Sequence, residues 1–130
     1  MERPYSGYAE LIGYQLIDQA TDFARLKLLI APQHLNRLEV PHGGVLATLL
    51  DTAGGFAVSF AGGPERVLRA VTLSMNVQFI GQAKLGDTVI AEGQRIGGGK
   101  TIAFAKAELR TEAGLVLARG DAVYRFLDKR

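Results

Sequence analysis

Cysteine is missing from this sequence of 130 residues, and histidine occurs only twice. The absence of cysteine excludes disulfide bonds, thiolate metal ligands and a cysteine nucleophile, and it favours the cytosol as the compartment. Two histidines are too few for an ordinary zinc site, so we expect no metal.

A strong charge of either sign is also missing. The 15 basic and 13 acidic residues leave a net charge of +2, and the basic residues are dispersed. Without a basic run or patch we expect no nucleic-acid partner. The small positive balance favours anionic small molecules.

A clear targeting or membrane segment is not evident. Residues 1–6 have no apolar stretch of the kind found in a signal peptide. Residues 43–63 are about long enough to cross a bilayer, but Asp51 lies near the centre of this stretch and six glycines interrupt it. Because a charge at mid-span is costly, we expect no membrane span and a cytoplasmic location.

The hydrophobic pattern indicates one long helix among several strands, which fits a single domain over residues 1–130. It predicts helices over 5–14 and 43–60, and strands over 14–20, 22–30, 69–80, 88–96, 101–111 and 115–126. A loop over 31–41 separates the second strand from the long helix. Turns are predicted at 81–87, at the glycine-rich 97–100 and at 112–114.

The helix predicted at 43–60 is apolar on nearly every side, which is typical of a helix buried in a core. One carboxylate, Asp51, lies in its middle, and a buried charge is costly unless it is paired or hydrogen-bonded. The helix begins after Pro41 with His42-Gly43-Gly44, and a helix start with glycines lets backbone N–H groups approach an anion. One segment therefore offers an anion-stabilising end and, about two turns later, an isolated acid.

The strand predicted at 69–80 alternates between an apolar and a polar face, and Thr72 falls in the polar set with Ser74, Asn76 and Gln78. Short connections favour antiparallel pairing. A single sheet buries an all-apolar helix only by curling around it. We therefore predict an α+β fold with a curved antiparallel sheet around one long central helix, and its exposed edges and apolar surface predict self-association.

Three motifs resemble those of the hotdog-fold thioesterases, in particular the phenylacetate-pathway (PaaI-like) subgroup of acyl-CoA thioesterases. The first is Asn36, followed by His42-Gly43-Gly44 and by A-T-L-L-D-T-A at 47–53. The others are V-T-L-S-M-N-V-Q-F at 71–79 and G-G-K-T-I-A-F at 98–104. The resemblance extends over nearly the whole chain. It departs from the family at Glu39, where members often have glycine.

The resemblance implies hydrolysis of an acyl-CoA thioester to a free acid and CoA, without a metal or redox cofactor. Asp51 would activate water as a base or attack the carbonyl carbon itself. The backbone N–H of Gly43, together with Asn36, would stabilise negative charge on the carbonyl oxygen. Thr72 would help Asp51 to hold water, and His42 would orient the loop or lie near the thioester sulfur.

Each of these residues also has an ordinary structural explanation. Gly43 can permit close packing, Asn36 can form an Asx turn, and Thr72 can be a simple strand former. A hydrogen bond that fixes the loop would account for His42, and His34 is expected to be structural.

The CoA nucleotide needs cations and backbone donors. Lys100, Arg95 and Arg66 are the candidates, with Lys100 favoured because it adjoins a glycine-rich hairpin. Gly54-Gly55 lowers helix propensity, so this pair is expected to permit close approach by a strand or by the acyl chain.

The family resemblance further implies a homo-oligomer, a dimer at minimum and a tetramer built as a dimer of dimers. The groups at the helix start would come from one subunit and Asp51 from its neighbour. The acyl group stays open between an aromatic one, such as phenylacetyl, and a medium-chain fatty acyl.

Two alternatives remain at this point. A hotdog dehydratase or hydratase commonly pairs a histidine base with an acid, and the positions of His42 and Asp51 do not match that pattern. A non-catalytic acyl-CoA-binding or regulatory hotdog protein would usually lack the acid or carry a DNA-binding segment. Binding without turnover would favour this second alternative.

Overall fold

The computed structural model describes residues 6–60 and 68–128. In these ranges the chain forms helix α1 (Gly7–Ile12), strands β1 (Gln15–Ala20) and β2 (Phe23–Leu29), helix α2 (Gly43–Ser59), and strands β3 (Ala70–Phe79), β4 (Thr88–Gly98), β5 (Ile102–Thr111) and β6 (Val116–Phe126). Every predicted helix and strand is present, and each end lies within two residues of its predicted position.

The six strands form one antiparallel sheet in the order β1-β2-β4-β5-β6-β3. Three hairpins, β1-β2, β4-β5 and β5-β6, pair neighbours in sequence as the short connections predict. Strand β3 does not pair with β4, although only residues 80–87 separate them. It pairs with β6 instead and forms an edge of the sheet, so the chain crosses from this edge to the middle.

Helix α2 lies across one face of the sheet and is covered on all but one stripe. Its buried residues include Leu46, Leu49, Leu50, Ala53, Ala57 and Val58. They pack with fully buried sheet residues such as Leu26, Val89, Leu109 and Leu117. The stripe formed by Gly44, Thr48, Asp51, Thr52 and Gly55 is only partly buried or exposed. Asp51 therefore lies on the side of α2 that the described residues do not fully cover.

Two glycines set the distance between α2 and the sheet. A Cβ atom on Gly93 of β4 would collide with the backbone carbonyl of Ala53, and one on Gly54 would collide with the hydroxyl of Tyr124 on β6. The expectation that the Gly54-Gly55 pair permits close approach by a strand is therefore confirmed at Gly54.

No helix within residues 6–60 and 68–128 has both the length and the apolar character needed to cross a membrane.

The contact at Gly93 makes a prediction about stability. Gly93→Ala is expected to destabilise the fold by about 1–3 kcal/mol, the usual cost of overpacking, because the added methyl group meets the carbonyl oxygen of Ala53. Gly99→Ala is the matched control, since nothing lies within 4 Å of a Cβ added there. Urea unfolding followed by circular dichroism measures the difference. Equal unfolding free energies for the two variants would contradict the tight contact.

Candidate active site

The carboxylate of Asp51 is held by one hydroxyl from the neighbouring strand. Thr72 on β3 donates a hydrogen bond from Oγ1 to Oδ1 of Asp51 at 2.7 Å. The phenol of Tyr124 also interacts with this carboxyl group, and Asp51 lines an open cavity, so the carboxylate is accessible to water or substrate. The structure thus brings together the acid and the threonine that the sequence singled out.

A β-bulge places Thr72 on the helix-facing side of the sheet. The register of β3 against β6 shifts between Thr72 and Ser74, so Thr72 lies opposite Tyr124 while Ser74 lies opposite Val123. Partners across an antiparallel pair share a face, and Tyr124 faces α2. Simple alternation, which groups Thr72 with Ser74 on a polar face, is therefore wrong at this position. The inserted residue, Leu73, re-aims Thr72 towards Asp51, a common role of bulges near active sites.

An open cavity of about 230 Å³ adjoins the Asp51–Thr72 pair. The two residues line it together with Thr52, Gly55, Phe56, Ser59, Ala70 and Tyr124. Its walls are small or aromatic side chains apart from the hydroxyls and the acid, so an apolar group fits beside the carboxylate.

Tyr124 touches the backbone of the same aspartate. Its side chain is buried, and its hydroxyl donates to the backbone carbonyl of Asp51 at 2.7 Å. Burial raises the pKa of the Tyr124 phenol, and the nearby Asp51 charge raises it further. The phenol therefore stays protonated and acts as a hydrogen-bond donor.

His42 caps the start of α2. Its Nδ1 accepts a hydrogen bond from the backbone N–H of Gly44 at 2.7 Å, as N-cap side chains commonly do. A neutral ring that accepts at Nδ1 carries its proton on Nε2. The backbone N–H of Gly43 has no partner within the described residues, and a free N–H at a helix start favours negative charge.

Asn36 organises the loop before α2 through its side-chain oxygen. Oδ1 accepts from the backbone N–H of Leu38 at 2.9 Å and of Val40 at 3.3 Å. No acceptor for the Nδ2 group occurs within the described residues, so its two N–H groups are open to a ligand. Asn36 and His42 line one shallow concavity at the helix start.

Glu39 adopts a left-handed backbone conformation in this loop, with φ of 62°. Glycine reaches this region without strain, whereas a residue with a side chain, such as glutamate, adopts it at a cost. The loop nevertheless closes around Asn36 with glutamate in place.

His34 is structural, as expected. It is 1% exposed, and both ring nitrogens bond to the backbone, Nδ1 to the N–H of Ala31 and Nε2 to the carbonyl of Ile12.

Two of the cations predicted to bind CoA, Arg95 and Lys100, do not line the Asp51 cavity. Arg95 donates to the carbonyls of Gly97 and Gly99 and lies over the ring of Phe126 at 5.7 Å, so it shapes its own hairpin. Lys100 is exposed at the tip of that hairpin. Arg66 lies outside the described residues.

Sequence reasoning did not identify Tyr124 or Phe56 as residues of the site. Phe56 lies five residues after Asp51 on the same helix, and this spacing does not place the two side chains on one face, so helical periodicity gave no signal for it. Tyr124 comes from the last strand. The one sequence signal for it was the Gly54-Gly55 pair, which indicates a bulky neighbour without saying which one.

The cap at His42 makes a second stability prediction. His42→Ala is expected to lower the free energy of unfolding by about 0.5–2 kcal/mol, the usual loss on removing an N-cap. His42→Asn should retain most of the stability, because asparagine is among the best N-cap residues. Thermal and urea unfolding of the three proteins test this. If asparagine is as destabilising as alanine, the ring has a role beyond the hydrogen bond to Gly44.

Comparison with known sequences identifies the family. The family model described as the thioesterase superfamily matches residues 39–118. Acyl-coenzyme A thioesterase 13 of Mus musculus is 30% identical over 106 residues, which are 81% of this chain and 74% of the mouse protein.

Solved structures agree with this assignment. The E. coli PaaI protein from the phenylacetic acid degradation operon has a TM-score of 0.86 at 24% identity, covering 95% of this chain and 86% of that chain, and shows the shared fold. Zebrafish thioesterase superfamily member 2 has a TM-score of 0.81 at 26% identity, covering 98% of this chain and 89% of that chain. The predicted hotdog architecture is confirmed, and this chain belongs to the thioesterase superfamily.

Proposed function

We propose that this protein hydrolyses an acyl-CoA thioester to the free acid and CoA, in a site shared between two copies of the chain. The observation that carries the proposal is the Asp51 carboxylate, held at one oxygen by Thr72 beside an open cavity. The family supports a thioester as substrate, and the name of the mouse relative supports acyl-CoA.

Asp51 starts the reaction through its free oxygen. With Oδ1 held by Thr72, Oδ2 takes a proton from a water molecule whose oxygen attacks the carbonyl carbon. In the alternative route Oδ2 attacks directly and forms an anhydride, which water then hydrolyses. Both routes break the carbon–sulfur bond, form the carboxylic acid and return a proton to the sulfur of CoA.

The start of α2 stabilises the charge that attack places on the carbonyl oxygen. The free N–H of Gly43 is one donor, and the Nδ2 group of Asn36 is the second. The hydrogen bonds from Leu38 and Val40 fix the amide of Asn36, so its donors are held ready before substrate arrives. His42 supports this arrangement as the cap of the helix.

Spacing along α2 favours a site formed by two copies. Positions 43 and 51 are eight residues apart on one helix, which is about 12 Å at a rise of 1.5 Å per residue. The attacking group and the oxyanion donors must each lie about 3 Å from the reacting carbonyl group. Asp51 of one copy is therefore proposed to act with Gly43 and Asn36 of another.

The edge strand β3 supplies a surface for that second copy. Among the strands that the structure describes it pairs with β6 alone, and its helix-side residues Met75 and Phe79 are 38% and 57% exposed. An exposed apolar edge strand is a site for pairing with another chain. Pairing there would cover the side of α2 on which Asp51 lies.

A tetramer of two such dimers remains part of the proposal. Val71 and Phe104 are exposed on the outer face of the sheet, opposite α2. Their apolar surface is a candidate for the second contact.

For the acyl group we propose an aromatic one, with a medium-chain fatty acyl as the alternative. Phe56 and Tyr124 line the cavity beside Asp51, and Gly55 and Ala70 leave it room. Lys100, at the exposed tip of the β4–β5 hairpin, is the cation proposed for the phosphates of CoA.

The first experiment compares CoA release by the native protein and by Asp51→Asn on a panel of aromatic and straight-chain acyl-CoAs. Free thiol is the signal. We expect turnover by the native protein and a loss of at least about a hundredfold in the variant, the lower range for removing a general base. Full activity in Asp51→Asn would contradict the assigned site. Tight binding of acyl-CoA without turnover would favour a regulatory protein.

A mixing experiment tests whether the site is shared. Asn36→Asp keeps the oxygen that holds the loop but removes the N–H donors, and Asp51→Asn removes the acid. Each variant alone is expected to be nearly inactive. Refolded together in equal amounts, they should regain about a quarter of native activity, because half the dimers are mixed and each mixed dimer has one intact site. No recovery would place both groups in one chain.

A further inference from the structure

Tyr124 stands out because its buried hydroxyl reaches the catalytic helix at Asp51 itself. The side chain is 2% exposed, and a buried hydroxyl is costly unless it is hydrogen-bonded. Its partner is the backbone carbonyl of Asp51, at 2.7 Å. The hydrogen bond from Tyr124 therefore connects strand β6 directly to Asp51 and not to an adjacent residue of α2.

Gly54 provides the space that the hydrogen bond between Tyr124 and Asp51 needs. A Cβ atom on Gly54 would overlap the hydroxyl of Tyr124 and lie 3.2 Å from Cζ. Glycine in a helix interior costs about 1 kcal/mol relative to alanine. The glycine at position 54 therefore lowers helix stability, but it leaves space for the phenol of Tyr124 against the helix.

Tyr124 and Thr72 act on Asp51 from adjacent places in the sheet. They are partners in the register between β6 and β3. Thr72 bonds to the carboxylate and Tyr124 to the backbone carbonyl of the same residue. Because the two donors are held relative to each other by the sheet, they fix both the position of the Asp51 backbone and the aim of its side chain.

We propose that Tyr124 is a positioning residue for hydrolysis, which holds Asp51 against the sheet so that its free carboxylate oxygen reaches the thioester. This inference rests on the proposed function. Tyr124 also forms a wall of the cavity beside Asp51, but the hydroxyl acts through the aspartate and not on the substrate.

The test is Tyr124→Phe, which keeps the ring and removes only the hydroxyl. We expect kcat to fall about tenfold, since small displacements of a reacting group are costly in rate, while KM changes less than about twofold. Tyr14→Phe is the matched control, because Tyr14 is also buried but belongs to a separate group of core side chains. Native kcat in Tyr124→Phe would overturn the proposal, and so would equal losses in both variants.

A double-mutant cycle with Thr72→Val separates positioning from general loosening. If both donors position the same residue, Asp51, the activity lost in the combined variant should be clearly less than the product of the two single losses. Independent, multiplicative losses would overturn the shared role. Thermal unfolding of all variants confirms that each is folded at the assay temperature.

A readout independent of activity keeps this test distinct from the test of the function. If the native protein hydrolyses no acyl-CoA, the proposed function fails, and a crystal structure of Tyr124→Phe still decides the positioning role. Separation of Thr72 Oγ1 and Asp51 Oδ1 beyond about 3.5 Å, outside hydrogen-bond range, would support the role. An unchanged bond would overturn it.

Discussion

The close contact between α2 and the sheet is the constraint on which the rest of the structure depends. Gly54 and Gly93 leave no space for a methyl group where helix and strands meet. Glycine at position 54 lowers the intrinsic stability of the helix. Its missing side chain leaves space for Tyr124, whose hydroxyl bonds to the backbone carbonyl of Asp51. The middle of the helix is thus held by packing and by hydrogen bonds from the sheet. Asp51 lies in this part of the helix and accepts the bond from Tyr124 at its own carbonyl.

At the start of α2, no described residue bonds to the backbone N–H of Gly43, which stays free to bind a ligand. His42 bonds to the N–H of Gly44 and not to that of Gly43, so the cap stabilises the first turn while one donor stays open. A helix start has several unpaired N–H groups, and the choice of cap decides which of them a ligand can use. The open donor and Asp51 lie eight residues, about two turns, apart on the same helix, and the proposal of a site shared between two copies rests on this spacing.

The sequence predicted the helices and strands more accurately than it predicted how the strands are arranged in the sheet. Hydrophobic periodicity is local, and it placed each helix and strand within two residues of its bounds. The edge position of β3 depends on pairing with β6, which no local pattern records. The bulge at Leu73 likewise depends on the partner strand, so alternation assigned Thr72 to the wrong face. The family resemblance nevertheless linked Thr72 to Asp51. Sequence motifs reflect contacts between residues that are distant in the chain, which local alternation does not. Tyr124 lay outside every motif and was missed.

The loop at Asn36 shows why structural and functional explanations of a residue need not compete. Oδ1 of Asn36 accepts two backbone N–H groups on either side of Glu39, whose left-handed conformation is strained by about 1–3 kcal/mol for a residue of this kind. Those bonds help to offset the strain and fix the amide plane. An amide with its oxygen engaged has both N–H groups directed elsewhere. The Asx turn, which is the ordinary explanation, therefore also leaves Asn36 ready for its proposed role as a donor to an oxyanion.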